Sequence, residues 1–408
     1  MTLFRPPCSD KTLKPWAWTA ILLLVVCLPR VTIDAYLPSL PAMADALGAS
    51  DAQLQLTLTL YMVGYAVSML VCGPLCDRVG RRPVLIWGTL LYLVATAVCA
   101  AADNAAVIIV ARMFQALGGC SGTVVGRVMV RDKFDKGTQA AMLSRISMGM
   151  ALSPIVAPLA GSVIDAALGW RWVFVGLGLL ATLSLALIGL LLPETLPPAQ
   201  RGGATEHPLR VYRRLLGDAY FLRYALAISF VYCTYFPFIA ESSVLLQRTM
   251  RLSPTAYALV FGLTVTGYVI GSNLFRRLSA RHPADRLIAW AVGLNLAGAG
   301  LLMVATTLFP LALPAIVGPF LLIMLSVGIA IPACQFGVLQ PYAAVAGSAS
   351  GLFFFVQMAL TAVCSFVTSC LSNGTAAPMV LVTLACSVAF GAVWTGFRRP
   401  AQLVLHQR

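Results

Sequence analysis

The stretch GPLCDRVGRRP, residues Gly73–Pro83, sets an aspartate, three arginines and two glycines between two long apolar runs. Hydrocarbon cannot hold that much charge. The segment therefore reads as a tight, water-facing turn between two membrane helices. Gly73 and Gly80 permit close backbone approach and positive φ. Asp77 can accept from a backbone N–H or an arginine, and Pro83 suits the first turn of the following helix. A plain membrane anchor would also carry such a turn, with Arg78, Arg81 and Arg82 doing no more than fixing topology.

The rest of the chain favours many crossings over one anchor. Its 408 residues are 60% hydrophobic and 10% charged, with a mean hydropathy of +0.88. That is the composition of a polytopic membrane protein, and no stretch is long and polar enough to fold as a soluble domain. The net charge of +14 falls in alternate loops, without a basic stripe interleaved with aromatics, so no nucleic-acid partner is expected. Cys27, Cys72, Cys99, Cys120, Cys233, Cys334, Cys364, Cys370 and Cys386 lie in apolar segments and read as small hydrophobes. No C-x-x-C pair is present, and neither a disulfide framework, a metal site nor a cofactor is expected. His207, His282 and His406 fall in loops or the tail, which leaves no histidine for a proton relay. The first apolar run is too long for a cleavable signal, and further spans follow it at once.

A span needs roughly 20 apolar residues, and on that basis twelve are predicted. They cover about 16–38, 53–75, 83–102, 105–128, 139–163, 172–192, 220–245, 255–275, 287–307, 311–335, 348–370 and 377–397. The lysines and arginines cluster in every second loop; the opposite loops hold only Arg171, Arg248 and Arg251. By the positive-inside rule both termini are cytoplasmic, which requires an even number of spans. The domain plan is a tail at 1–15, a six-helix bundle at 16–192, an inner linker at 193–219, a second bundle at 220–397 and a tail at 398–408. The fold class is all-α, with two pseudo-symmetric six-helix halves. The loop Arg276–Arg286 stands where Gly73–Pro83 stands in the first half, keeping the basic charge but not the glycines.

Charged residues inside spans are costly and so are functional candidates. Asp34, in IDAYLPSLP, lies late in span one, and Arg112 lies early in span four, which runs the other way. Counted at about 1.5 Å per residue they occupy one layer. An acid facing an arginine there has a paired, ionised state and a protonated state, the minimum for proton coupling. Arg30, four residues before Asp34, shares its helix face and can hold that carboxylate ionised or attract an anionic group. Glu241 is a second acid, either buried near the end of span seven or in the following loop. Arg127 reads as an interfacial anchor. Span seven is rich in rings: Tyr232, Tyr235 and Phe236, with Gln357 of span eleven, form a candidate substrate-binding wall, although such a stripe is more often helix packing. Pro154 and Pro158, with Gly149 and Gly161, mark a kinked, close-packing fifth span.

Gly73–Pro83 resembles the loop between the second and third helices of the major facilitator superfamily. In that family it acts as a latch in alternating access, which implies Gly73, Asp77, Arg78, Gly80, Arg81 and Arg82 as latch residues, with the aspartate and arginines making state-dependent ion pairs. IDAYLPSLP, ARMFQALGG, VMVRDKF, SPIVAPLAGS, GWRWVF, PETLPPAQR and AGSASGL follow in an order similar to that of the Bcr/CflA drug:proton antiporters, chiefly in the first half. The resemblance implies Asp34 as the proton or substrate carboxylate, Arg112 as the span-four arginine, and Pro158 and Gly161 as the antiporter helix. Arg30 and Glu241 depart from the group's usual uncharged residues. The expected function is proton-coupled drug efflux across a bacterial inner membrane by a monomer, with protons, a small molecule and the lipid bilayer as its partners. The alternative is a dedicated exporter of a metabolite such as a siderophore, or a nucleoside transporter. No G-x-S-x-G elbow, zinc motif or P-loop points to an enzyme or an ATP-driven pump.

Overall fold

The computed structural model describes residues 14–196, 208–339, 341–342 and 346–396. Of the predicted tails, residues 1–13 and 398–408 lie outside the described residues, as do 197–207 of the 193–219 linker. Among the described residues, twelve helices are long and apolar enough to cross a membrane. Within the first half these are α1 (Pro15–Ala35), α3 (Asp51–Val79), α4 (Arg81–Ala101), α5 (Ala105–Lys133), α6 (Lys136–Leu168) and α7 (Trp170–Leu191). Within the second they are α9 (Ala219–Val244), α10 (Pro254–Leu278), α11 (Ala284–Leu308), α12 (Leu313–Leu339), α13 (Ala346–Leu371) and α14 (Ala377–Gly396). Two short helices, α2 (Leu40–Ala46) and α8 (Pro208–Leu216), flank them. Every predicted span is present, with ends moved by a few residues.

The packing repeats. In the first half α1 lies on α6 and α5, α3 and α4 lie on α5, and α4 lies on α7. In the second, α9 lies on α13 and α12, α10 and α11 on α12, and α11 on α14. Two crossings join the sets, α3 on α13 and α6 on α10, and these swap under the same correspondence. Large apolar side chains such as Val94, Leu190 and Leu179 point outward, as lipid-facing positions should.

Two expectations about the opening stretch need correction. Gly73, Asp77 and Arg78 are helical, because α3 continues to Val79, so the turn shrinks to Gly80 alone. Gly80 has φ +113°, whereas Gly73 has neither a positive φ nor a close neighbour. Nor do Arg81 and Arg82 face water: each is 5% exposed. Their charge is tolerated because α4 begins against acceptors. Glu194, beyond the end of α7, takes the backbone N–H groups of Arg81 (3.0 Å) and Arg82 (3.2 Å), the orphan donors of the helix start.

Candidate functional site

α1 carries Arg30 and Asp34 one turn apart, as their spacing predicts. Arg30 Nε donates to Asp34 Oδ2 at 3.1 Å, and Arg30 Nη1 donates to the Tyr232 hydroxyl of α9 at 3.0 Å. Ser153 of α6 donates to the same carboxylate oxygen at 3.3 Å. The other oxygen, Oδ1, has no hydrogen-bond partner among the described residues. Asp34 is fully buried, while the Arg30 side chain keeps 17% of its surface exposed. A lone carboxylate in such a place would be prohibitively costly, and the guanidinium offsets most of that. One pair thereby links three helices and both halves of the molecule.

The second expected partner is not there. Arg112, fully buried, lies between two rings, 4.1 Å from the Tyr36 centroid and 4.3 Å from that of Tyr61. Its Nη1 donates to Gln115 Oε1 at 2.6 Å, and Gln115 in turn donates to Thr96. Depth placed Asp34 and Arg112 in one layer, but azimuth separates them. Tyr36 follows Asp34 by two residues, about 200° around the helix, so the face of α1 that meets Arg112 is not the face bearing Asp34. The chain also continues through a 3₁₀ turn, Leu37–Ser39, and α2 to Ala46, which sets Asp34 deeper than a span ending at 38 would.

Tyr232 meets Tyr235 edge-on at 4.9 Å and stacks with Phe236 at 6.2 Å, so this part of the ring stripe does lie beside Arg30. Gln357 is 3% exposed, and its Oε1 has no hydrogen-bond partner among the described residues. Glu241 resolves as a buried residue, 1% exposed. It accepts from Ser372 at 3.2 Å, and its Oε1 has no hydrogen-bond partner among the described residues. Nine residues beyond Tyr232 on α9, it stands roughly 13 Å from the Arg30 pair along the axis, a separate site.

The two ends of the bundle differ. At the end bearing Arg248, the halves are stitched together. Ser243 donates to Leu37 O, Gln247 to Pro38 O, and Ser369 to Ala52 O. Arg248 reaches Asp45 (2.8 Å), Asp51 (2.8 Å) and Pro41 O. At the Gly80 end the charges stay within the first half. Arg81 binds Asp132 at 3.0 Å and Asp77 at 2.5 Å, and Arg78 is exposed. Across the halves there, Tyr212 of α8 reaches Leu70 O at 3.3 Å. Burial, and secondarily the Asp77 carboxylate, raise the Tyr212 phenol above its ordinary value, which keeps it a hydrogen-bond donor.

Two participants lay outside the sequence reading and a third was misplaced by it. Ser153 precedes the proline pair of α6 and would have been visible as the one hydroxyl in SPIVAP. Glu194 looked like linker. Arg127 is no interfacial anchor: half-buried, it faces Phe354 of α13 at 5.9 Å and Met150 Sδ at 3.5 Å. Gly161 of α6 has a clearer purpose, since a Cβ there would lie 1.8 Å from the Ala35 carbonyl oxygen. The backbones of α1 and α6 touch one residue from Asp34.

Twelve crossing helices in two repeating sets, with a buried ion pair bridging the sets, are the architecture of a membrane transporter rather than an enzyme. The Major Facilitator Superfamily model matches residues 22–365, and the chain belongs to that superfamily. It is 29% identical over 359 residues to a chloramphenicol resistance protein of Pseudomonas aeruginosa, covering 88% of this chain and 85% of that one. It is 28% identical over 333 residues to multidrug resistance protein D of Escherichia coli (strain K12), covering 81% and 83%. Among solved structures, that of a D-xylose-proton symporter superposes with a TM-score of 0.73 at 14% identity, over 93% of this chain and 97% of the other.

Proposed function

We propose that this protein exports small organic molecules across a bacterial inner membrane in exchange for protons, with its Gly80 end and both termini in the cytoplasm. The observation that carries the reading is the Arg30–Asp34 pair, buried at the seam and tied by Tyr232 to the opposite half. While Asp34 is ionised, Arg30 is neutralised and held. Protonation removes the charge that holds it, so the guanidinium swings free or strengthens its bond to Tyr232, and the contact between the halves changes. A proton and a rearrangement of the seam are thereby one event.

The other residues take roles around that event. Tyr232, Tyr235 and Phe236 form one wall of the substrate route, and Gln357 offers it an unsatisfied amide oxygen. The Asp77–Arg81–Asp132 set is a latch that rearranges when the Gly80 end closes. Glu241, which accepts from Ser372 at the stitched end, is a second carboxylate on the route. Pro154, Pro158 and Gly161 keep α6 against α1 as it pivots. The similarity to resistance proteins of the same length supports drug-like cargo, and the Bcr/CflA resemblance supports proton exchange.

The test is accumulation of a phenicol and a dye in an efflux-deficient bacterium, with and without the gene, before and after collapse of the proton gradient. The gene is expected to lower accumulation only while the gradient stands, and Asp34→Asn to abolish that dependence. Export by Asp34→Asn at the normal rate and with normal gradient dependence would falsify the assignment.

A further inference from the structure

At the seam between the halves stands one arginine that no carboxylate of the described residues contacts. Arg30 is matched by Asp34. Arg127 has no carboxylate in contact among the described residues. Its surroundings come from five helices: Phe354 of α13, Met150 of α6, and, within electrostatic range, Tyr65 of α3, Cys27 of α1 and Tyr268 of α10. A thioether, rings and a thiol lie around it, and none of them carries a compensating negative charge. A cation inside a membrane bundle is expensive to keep in such company, so a guanidinium retained there points to a negative partner that arrives and leaves.

Its position suits that role. α5 passes Pro29 of α1 at Gly119, and Arg127 follows eight residues on, roughly 12 Å nearer the Gly80 end. Tyr268 lies within range of both Arg30 and Arg127, so a ring spans the gap between the two cations. Arg127, Tyr65, Tyr268 and Phe354 are all only partly buried, so each keeps surface that a ligand in the seam would meet. Phe354 belongs to the opposite half, which makes the Arg127 site one that both halves complete.

We infer that Arg127 is an anion-binding residue of the substrate route, and that the cargo is an amphipathic molecule pairing a carboxylate with an aromatic body. The carboxylate takes the guanidinium, whose planar fork suits it, and the body lies on Tyr65, Tyr268 and Phe354. The inference rests on the seam being the route proposed above and specifies what travels along it.

The test uses the full-length protein in nanodiscs and two probes, a xanthene dye bearing a free benzoate and the methyl ester of the same dye. The wild type is expected to bind the acid about tenfold more tightly than the ester, the worth of one charge-assisted contact. Arg127→Gln should bring the two affinities within about twofold by weakening the acid and leaving the ester unchanged. Arg127→Lys should keep an intermediate preference, and it carries the test if the glutamine variant does not fold. Equal wild-type affinities, binding of neither dye, or equal losses for acid and ester in both variants overturn the inference. Gradient-driven transport of the dyes is scored separately: its absence beside an intact, Arg127-dependent preference refutes proton exchange and leaves the anion site standing.

Discussion

Replacing Gly161 with alanine should cripple the protein through a single methyl group. The added Cβ would sit 1.8 Å from the Ala35 carbonyl oxygen and 2.8 Å from its carbon. Both are backbone atoms, so no rotamer change relieves the clash, and α1 and α6 must part by about 1.6 Å to regain ordinary contact at 3.4 Å. Overpacking of this kind costs about 1–3 kcal/mol. The functional cost is larger, because the strained contact adjoins Asp34. The Ser153–Asp34 bond, already 3.3 Å long, cannot survive a displacement of that size between the same two helices. The expected outcome is a protein that inserts, unfolds several degrees earlier in a thermal scan in detergent, and loses most gradient-driven efflux. Gly73→Ala is the matched control, since nothing lies within 4 Å of a Cβ at Gly73, and it should be neutral in both assays. A Gly161→Ala protein with wild-type thermal stability and efflux would refute the reasoning.

Three further outcomes follow from the same geometry. Glu194→Ala removes the acceptor for the first N–H groups of α4 and should lower stability by about 1 kcal/mol, read as a fall in apparent Tm that Glu194→Gln largely restores. Arg248→Gln breaks the cluster with Asp45 and Asp51; because these charges are partly exposed, the loss is about 1 kcal/mol. It should raise the open population at that end about fivefold, seen as longer distances between spin labels on α2 and α10. Tyr232→Phe deletes the hydroxyl that Arg30 holds across the halves and should slow efflux while leaving expression and Tm unchanged, so a normal transport rate would deny the bridge a role.

The fold was readable because lipid is a simple solvent: length and apolarity mark the spans, and all twelve stand where hydropathy put them. The site was only half readable. Arg30 and Asp34 pair as helical spacing demands, a local relation that sequence encodes. Asp34 and Arg112 do not, because depth follows from counting residues whereas azimuth depends on how α1 turns against α5. Arg127 was misjudged for a related reason. Its place near the end of a span suggested the membrane surface, but α5 extends to Lys133 and brings the arginine inside. The Gly73–Pro83 stretch was read as a loop because its charges looked too many for a helix; Glu194 and Asp132, remote in sequence, make the helical arrangement tolerable.

The contrast between the two ends supplies the remaining step. Where Arg248 lies, three of the bonds that run between the halves end on backbone carbonyls of the Leu37–Pro41 segment. That segment follows α1 after Tyr36 and begins three residues beyond Asp34. Any shift of α1 caused by a change of charge on Asp34 is therefore transmitted along one short stretch of chain to the acceptors that Ser243, Gln247 and Arg248 hold. At the Gly80 end the ion pairs of Arg81 stay inside one half and cannot oppose separation of the halves. In the proposed cycle, protonation of Asp34 and the stitched end therefore act through one helix, while the Gly80 end is held across the halves by Tyr212 on Leu70 O rather than by ion pairs.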